Sequence, residues 1–233
     1  EIVSRDWSSD VCSSDLDTAI FRLKDKNGEF LEHTSRLVVP GVTKGNSDKI
    51  ASKGWCNSTP MTYFSDPYFG QKFLMICEGP KDLWRQYQAL LDFGLDKEFL
   101  LITSSHGSAM PRDLMPENAA NNPHYDPQFF SRFSAIFCGH DNDSAGEKMA
   151  YAWCKLADRQ CLRIAVPEEV VKKDYDKGES GADWTDFWQA GATLSDFKTL
   201  IKTSVKIQPS DFDKIYRKNT RNSESINYPE NRG

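Results

Sequence analysis

Residues 72–77, KFLMIC, form an apolar run of strand length that is closed at once by Glu78, Gly79 and Pro80. A strand without polar alternation must be covered on both faces, the condition of an inner strand in a parallel sheet. Similar runs follow at 99–105 (FLLITSS), 134–139 (SAIFCG) and 161–166 (CLRIAV), with helical patterns between them. From 82 to 94, Leu83, Tyr87, Leu90 and Leu91 share one helical face and Gly94 is placed to cap its end. A second helix is expected over 144–156, and a last helical stretch over 184–201 with Gly191 interrupting it. Strands alternating with helices predict an α/β fold, a mostly parallel sheet flanked by helices.

The segment ahead of this alternation reads differently. Over 17–70, short apolar runs (AIFRL, FLEH, RLVVPG) are broken by turn formers, and Asn27-Gly28 supplies the positive φ angles of a tight hairpin turn. A small β-rich subdomain is expected there, with Lys44, Lys49 and Lys53 on a loop-rich surface, where solvated charge is an equally good account of them. Residues 107–128, with four prolines, read as an inserted loop, and 207–233 as a polar tail or linker. Residues 1–16, EIVSRDWSSDVCSSDL, show no periodicity and no targeting pattern, and resemble the translation of a sequencing-library adapter. On that reading the frame lacks its natural N-terminus.

Composition narrows the class. The chain carries 29 basic and 34 acidic residues, a net charge of −5, or 28 against 30 without residues 1–16. Contacts with polyanions must therefore be local or metal-bridged. No apolar run nears the length of a membrane span, which is about 18 residues. Of the six cysteines, Cys12 falls in 1–16, and the other five form no CxxC pair, so neither disulfides nor a zinc site is expected and a cytoplasmic location is. Cys77 and Cys138 end apolar runs and read as small buried hydrophobes. Four aromatics, Tyr125, Phe129, Phe130 and Phe133, read as core, and His106 and His140 as surface residues, although either could meet phosphate or metal.

Chemistry-bearing residues gather where strands end. Glu78 follows the first buried strand, while FCGHDNDSAG (137–146) sets Asp141 and Asp143 two residues apart just before a helix. Loops beyond the carboxyl ends of parallel strands are where such sheets bind ligands. Carboxylates converging there repel one another unless a hard cation neutralises them, and an all-oxygen donor set suits Mg2+. Each acid also has a structural reading: Asp143 or Ser144 as a helix N-cap, Glu78 as a loop residue.

EGPKD after a buried strand, followed by DNDSAG opening a helix, resembles the Toprim domain of primases, topoisomerases and related nucleases. The likeness covers 73–165 and is greatest to the bacterial and phage-type DNA primases and primase-helicases, with 71–206 as the Toprim unit. It implies that Glu78, Asp141 and Asp143 are catalytic acids that bind Mg2+ or Mn2+, and that Gly79 and Gly146 are the turn and helix-start glycines. Arg36, Lys49, Lys53 and Lys81 would contact nucleotide or DNA. Asp82, Asp183 and Asp186 would be secondary acids, the last two in GADWTDFWQAG, where Trp184 stands in place of a small residue. The implied activity is nucleotidyl transfer from nucleoside triphosphates, making primers on a single-stranded DNA template, with a replicative helicase as a possible partner. A Toprim-type nuclease using the same acids, or a non-catalytic nucleic-acid- or helicase-binding module, is the alternative. No GxxxxGK[ST] string for ATP-driven helicase action occurs.

Overall fold

The computed structural model describes residues 18–24, 30–37, 62–104, 109–121, 125–167 and 182–211, the first two segments as backbone. The strands are β1 (Thr18–Lys24), β2 (Phe30–Leu37), β3 (Thr62–Phe64), β4 (Phe73–Cys77), β5 (Phe99–Ser104), β6 (Ala135–Gly139), β7 (Cys161–Arg163) and β8 (Val205–Ile207). The helices are α1 (Pro80–Asp92), α2 (Ser144–Ala157), α3 (Trp184–Gln189) and α4 (Leu194–Thr203). All eight strands join one sheet in the order β2-β1-β3-β5-β4-β6-β7-β8. The fold is α/β, as the alternation predicts. Parallel pairing is confined to the centre, β5-β4-β6-β7, and the remaining pairs are antiparallel. β1 and β2 pair antiparallel as the hairpin expectation requires, while its turn residues, Asn27 and Gly28, lie outside the described residues.

The apolar runs bury both faces because side chains alternate along each strand. Leu74, Ile76, Leu100, Ile102, Ile136 and Cys138 enter one core layer with Met149, Ala150 and Trp153 of α2. Met75, Cys77, Phe99, Leu101 and Phe137 enter the other, beneath Leu83, Tyr87 and Leu90 of α1, Trp184, Phe187 and Trp188 of α3, and Phe197 of α4. Phe129 and Phe133 lie in the first layer, so these expected core aromatics are core. The proline-rich insertion also contributes: a short 3-10 turn at Arg112–Leu114 sends Leu114 into that layer. Asp113 accepts hydrogen bonds from the Thr62 backbone N–H at 2.9 Å and the Thr62 hydroxyl at 3.0 Å, tying the insertion to β3. Cys77 and Cys138 are buried free thiols.

Two glycines punctuate helices through backbone freedom. Gly94 adopts φ +68° after α1, where the Leu95 N–H reaches back to the Leu90 carbonyl at 2.8 Å. Gly191, at φ +85°, divides the expected 184–201 stretch into α3 and α4. Each of these helices starts with a reciprocal capping box, Asp183 with Asp186 and Thr193 with Asp196. Among the described residues no helix is long and apolar enough to cross a membrane.

Trp184 clamps α3 to the sheet. Its indole N–H donates to the Gly139 carbonyl at 2.8 Å, and a Cβ at Gly139 would lie 2.7 Å from the indole nitrogen. The bulky residue that stands out in GADWTDFWQAG is thus matched by a bare backbone at the end of β6. Trp184→Ala is expected to cost about 3–5 kcal/mol in denaturant unfolding, the range for emptying a buried aromatic site; a loss below about 1 kcal/mol would contradict this packing role.

Candidate active site

Three chain segments meet at the carboxyl end of the central strands. The first is Glu78 to Asp82. Gly79 is extended (φ −142°) and caps α1, and Pro80 opens the helix. A Cβ at Gly79 would make only an ordinary 3.8 Å contact with Asp82, so Pro80 rather than glycine freedom shapes this entry. The second segment leaves β6 through His140, Asp141 and Asn142 and enters α2. Because Cys77 and Gly139 are register partners on adjacent parallel strands, the residues just beyond them are neighbours, and Glu78 Oε2 accepts the Asp141 backbone N–H at 3.0 Å. Asp143 caps α2, with Oδ1 accepting the Gly146 N–H at 2.7 Å. The cap reading of Asp143 is therefore realised within the site itself.

Asn142 draws in the third segment. Its backbone N–H donates to the Ala182 carbonyl at 3.1 Å, and its side-chain Nδ2 donates to the Val166 carbonyl at 3.1 Å. Asp183 then begins α3 beside α1, where Lys81 Nζ stands 3.7 Å from Asp183 Oδ2 and the Thr185 hydroxyl donates to Asp82 Oδ1 at 3.3 Å.

These placements concentrate negative charge. Burial, reinforced in turn by Glu78, Asp82, Asp183 and Asp143, pushes the Asp141 carboxyl up to about 8. Burial and then Asp183 push Asp82 up to about 7, with Lys81 and the Thr185 hydroxyl pulling it back and Glu78 adding to the rise. The structure therefore brings Glu78, Asp82, Asp141, Asp143 and Asp183 into one electrostatic neighbourhood with Lys81 at its edge. Asp186 accepts the Asp183 backbone N–H at 3.3 Å as the other half of the capping box. Arg36 lies on β2, at the far edge of the sheet, opposite Ala19 in register. Lys49, Lys53 and His106 lie outside the described residues.

His140 departs from the surface position expected of it: it is buried at 2% exposure. Burial, with the Arg163 guanidinium second, lowers its ring to about 3, so the imidazole is neutral near pH 7 and brings no charge to a phosphate. Asn142, Arg163 and Thr185 are site-building residues that the sequence reading did not single out. Arg163 had a signal, a lone cation inside the apolar run CLRIAV, which must find partners if that run is buried.

Chemically the site is an all-oxygen donor set with excess negative charge, which suits a hard divalent cation. Among the described residues no group of three or more His, Cys, Asp or Glu side chains stands arranged to hold a metal ion. The donors fit such an ion by type and charge.

No protein-family model matches the chain, and no curated protein matches it. Among solved structures the chain is similar to one in the complex of bacteriophage T7 lagging-strand DNA polymerase with primase domains of two gp4 subunits bound to an RNA/DNA hybrid and dTTP. The identity there is 14% over 80% of this chain and 78% of that one, with a TM-score of 0.51. The Aquifex aeolicus primase, comprising zinc-binding and RNA polymerase domains, matches at 15% identity over 90% of this chain and 44% of that chain, with a TM-score of 0.48. The E. coli primase catalytic core matches at 17% identity over 84% of this chain and 54% of that chain, with a TM-score of 0.47. The chain spans about half the length of these bacterial primase structures. At such identities the likeness is one of fold.

Proposed function

We propose that the chain is a DNA primase-type catalytic fragment of Toprim kind, joining nucleotides on a single-stranded DNA template in a reaction that depends on Mg2+ or Mn2+. The observation that carries this reading is the gathering of Glu78, Asp82, Asp141, Asp143 and Asp183 at one end of the parallel strands, where burial and, after it, the repulsion of the neighbouring acids push the Asp141 carboxyl up to about 8. The similarity of fold to the T7 complex supports the same reading.

Glu78, Asp141 and Asp143 are the residues that would hold the cation. When bound, it offsets phosphate charge and steadies the attacking and leaving oxygens of an in-line displacement. The protein's own part is positional and protonic. Glu78 fixes the Asp141 backbone, Asp143 is held rigid by its cap bond, and a site carboxylate takes the proton of the attacking primer hydroxyl as the oxygen–phosphorus bond forms and pyrophosphate leaves. Arg36, Lys49 and Lys53 are assigned to nucleotide or template. A replicative helicase is the partner such an activity would serve.

The test is incubation of the protein with single-stranded DNA, labelled ribonucleoside triphosphates and Mg2+ or Mn2+, beside a parallel incubation with labelled DNA alone. Template-dependent incorporation that stops on chelation is the expected result. Shortened DNA without incorporation would assign the acids to hydrolysis, and binding without turnover would make the chain a scaffold.

Lys81 gives a finer prediction. Its side chain is 56% exposed, and ion pairs of this exposed kind contribute about 0–1 kcal/mol to stability. Lys81→Gln should therefore barely move the melting temperature. If the ammonium meets an incoming triphosphate, its loss raises KM for nucleotide about tenfold, the worth of one charge-assisted hydrogen bond, with kcat nearly unchanged. An unchanged KM would reduce Lys81 to a partner of Asp183.

A further inference from the structure

The backbone that carries Asp141 runs past the last residue of β6, where sheet pairing with β7 stops at Cys138 and Arg163. Its carbonyls are nevertheless held. Arg163, only 5% exposed, donates through Nη1 to the Cys138 carbonyl at 3.3 Å and the His140 carbonyl at 3.0 Å, and through Nη2 to the Asp141 carbonyl at 2.8 Å. Nη1 also meets the carbonyl of Ile164. Nε donates to Glu147 Oε2 at 3.0 Å, on the first turn of α2. A buried cation needs such saturation, since each unpaired donor is costly. The planar fork reaches several acceptors at once, which an ammonium cannot do.

A second contact holds the same carbonyl from the other side. A Cβ on Gly146 would lie 2.1 Å from the Asp141 oxygen, so α2 presses its backbone directly against that loop. The Asp141 carbonyl is fixed between the guanidinium and the start of α2, and Asp143 lies in the span between them.

We propose that Arg163 is a positioning residue of the acid site: its guanidinium replaces the missing strand neighbour of residues 140–141 and, through Glu147, sets the spacing between that loop and α2, so that Asp141 and Asp143 are presented together. This rests on the metal-dependent reading above. Arg163 contacts no reacting group and acts through the loop it holds.

The experiment compares Arg163→Lys, Arg163→Gln and Glu147→Gln with the unaltered chain, using amide hydrogen exchange without metal and Mn2+ binding by electron paramagnetic resonance. The expected result for both Arg163 variants is faster exchange at the Asp141 and Gly146 amides by about tenfold or more, with α1 protected as before. Mn2+ affinity should fall about ten- to a hundredfold, the usual effect of removing a group that orients metal ligands. Lysine, which keeps the charge and loses the fork, should not rescue. Glu147 lies at the margin, its side chain 42% exposed, so Glu147→Gln should fold and show the same changes to a smaller degree, which keeps the test decisive should the Arg163 variants fail to fold. Unaltered exchange at Asp141 and Gly146, or full rescue by lysine, overturns the proposal. Failure of the unaltered chain to bind Mn2+ overturns the metal reading instead, and the exchange data still judge whether Arg163 holds the loop.

Discussion

Asp141→Asn is expected to lower template-dependent incorporation by about a thousandfold or more, because it removes an anionic donor from a site whose chemistry consists of charge placement. The same substitution should stabilise the metal-free protein in alkaline buffer. The sign follows from the carboxyl's rise to about 8 from its ordinary value, which lies near 3.9. Below about pH 4 both folded and unfolded chains hold the proton and the contribution to stability is fully present. As pH rises toward 8 the unfolded chain releases the proton while the folded one retains it, so stability is lost across that window and the loss is complete above it. Asparagine never ionises, so this part of the pH dependence disappears. Melting curves from pH 5 to 9 should show a smaller decline for Asp141→Asn than for the parent. Asp82, raised to about 7, leaves some decline in both. Saturating Mg2+ should flatten the parent's curve and leave the variant's nearly unchanged. Activity retained within tenfold, or a variant that melts lower than the parent at pH 9, would remove Asp141 from the proposed site.

Gly146→Ala should be the most damaging change of a single methyl group. In an ordinary helix interior it would gain about 0.5–1 kcal/mol from lower backbone entropy and higher propensity. Here the added carbon falls 2.1 Å from the Asp141 carbonyl oxygen and 2.9 Å from both the Asp141 carbonyl carbon and backbone nitrogen, a backbone obstacle that no rotamer change relieves. Overpacking in a rigid setting costs about 1–3 kcal/mol and occasionally more, so the clash outweighs the propensity gain. Either α2 or the Asp141 loop must shift. Two consequences are measurable: a net loss of about 2 kcal/mol or more in denaturant unfolding, and a fall in incorporation far beyond what that loss of stability explains. A variant as stable and as active as the parent would show that the close approach of α2 to the loop is dispensable.

Much of this arrangement is legible in the residues, for physical reasons that also mark where legibility stops. β4, β6 and the first four residues of β5 are apolar because both faces are covered, and that pattern survives without knowledge of the neighbours. α1 shows its inner face and its Gly94 terminator for the same reason. β7 falls inside the apolar run 161–166 and is legible for the same reason, whereas β3 and β8 have three residues each, too few for a period of two to declare itself, and their existence depends on strands elsewhere in the chain. Among the acids, Glu78, Asp141 and Asp143 stand out by position after buried strands. The joining of Asp82 and Asp183 by Thr185 and Lys81 depends on how α3 packs against α1, and that packing is set by Trp184 over Gly139. Arg163 and His140 were the hardest to read. A polar residue inside an apolar run announces that it needs partners without saying which, and the partners of Arg163 are mainly backbone carbonyls, which every residue type possesses.

The contacts that assemble the acid site bridge long stretches of chain: Glu78 to Asp141 across 63 residues, Gly139 to Trp184 across 45 and Asp82 to Thr185 across 103. Such distant pairings are formed late, since chain ends must be brought together before any contact rewards them. A ribosome that has released the first two segments has produced charges without a centre. Only when α3 has packed against α1 do Asp82 and Asp183 join the other carboxylates, so the negative centre exists only in the assembled fold.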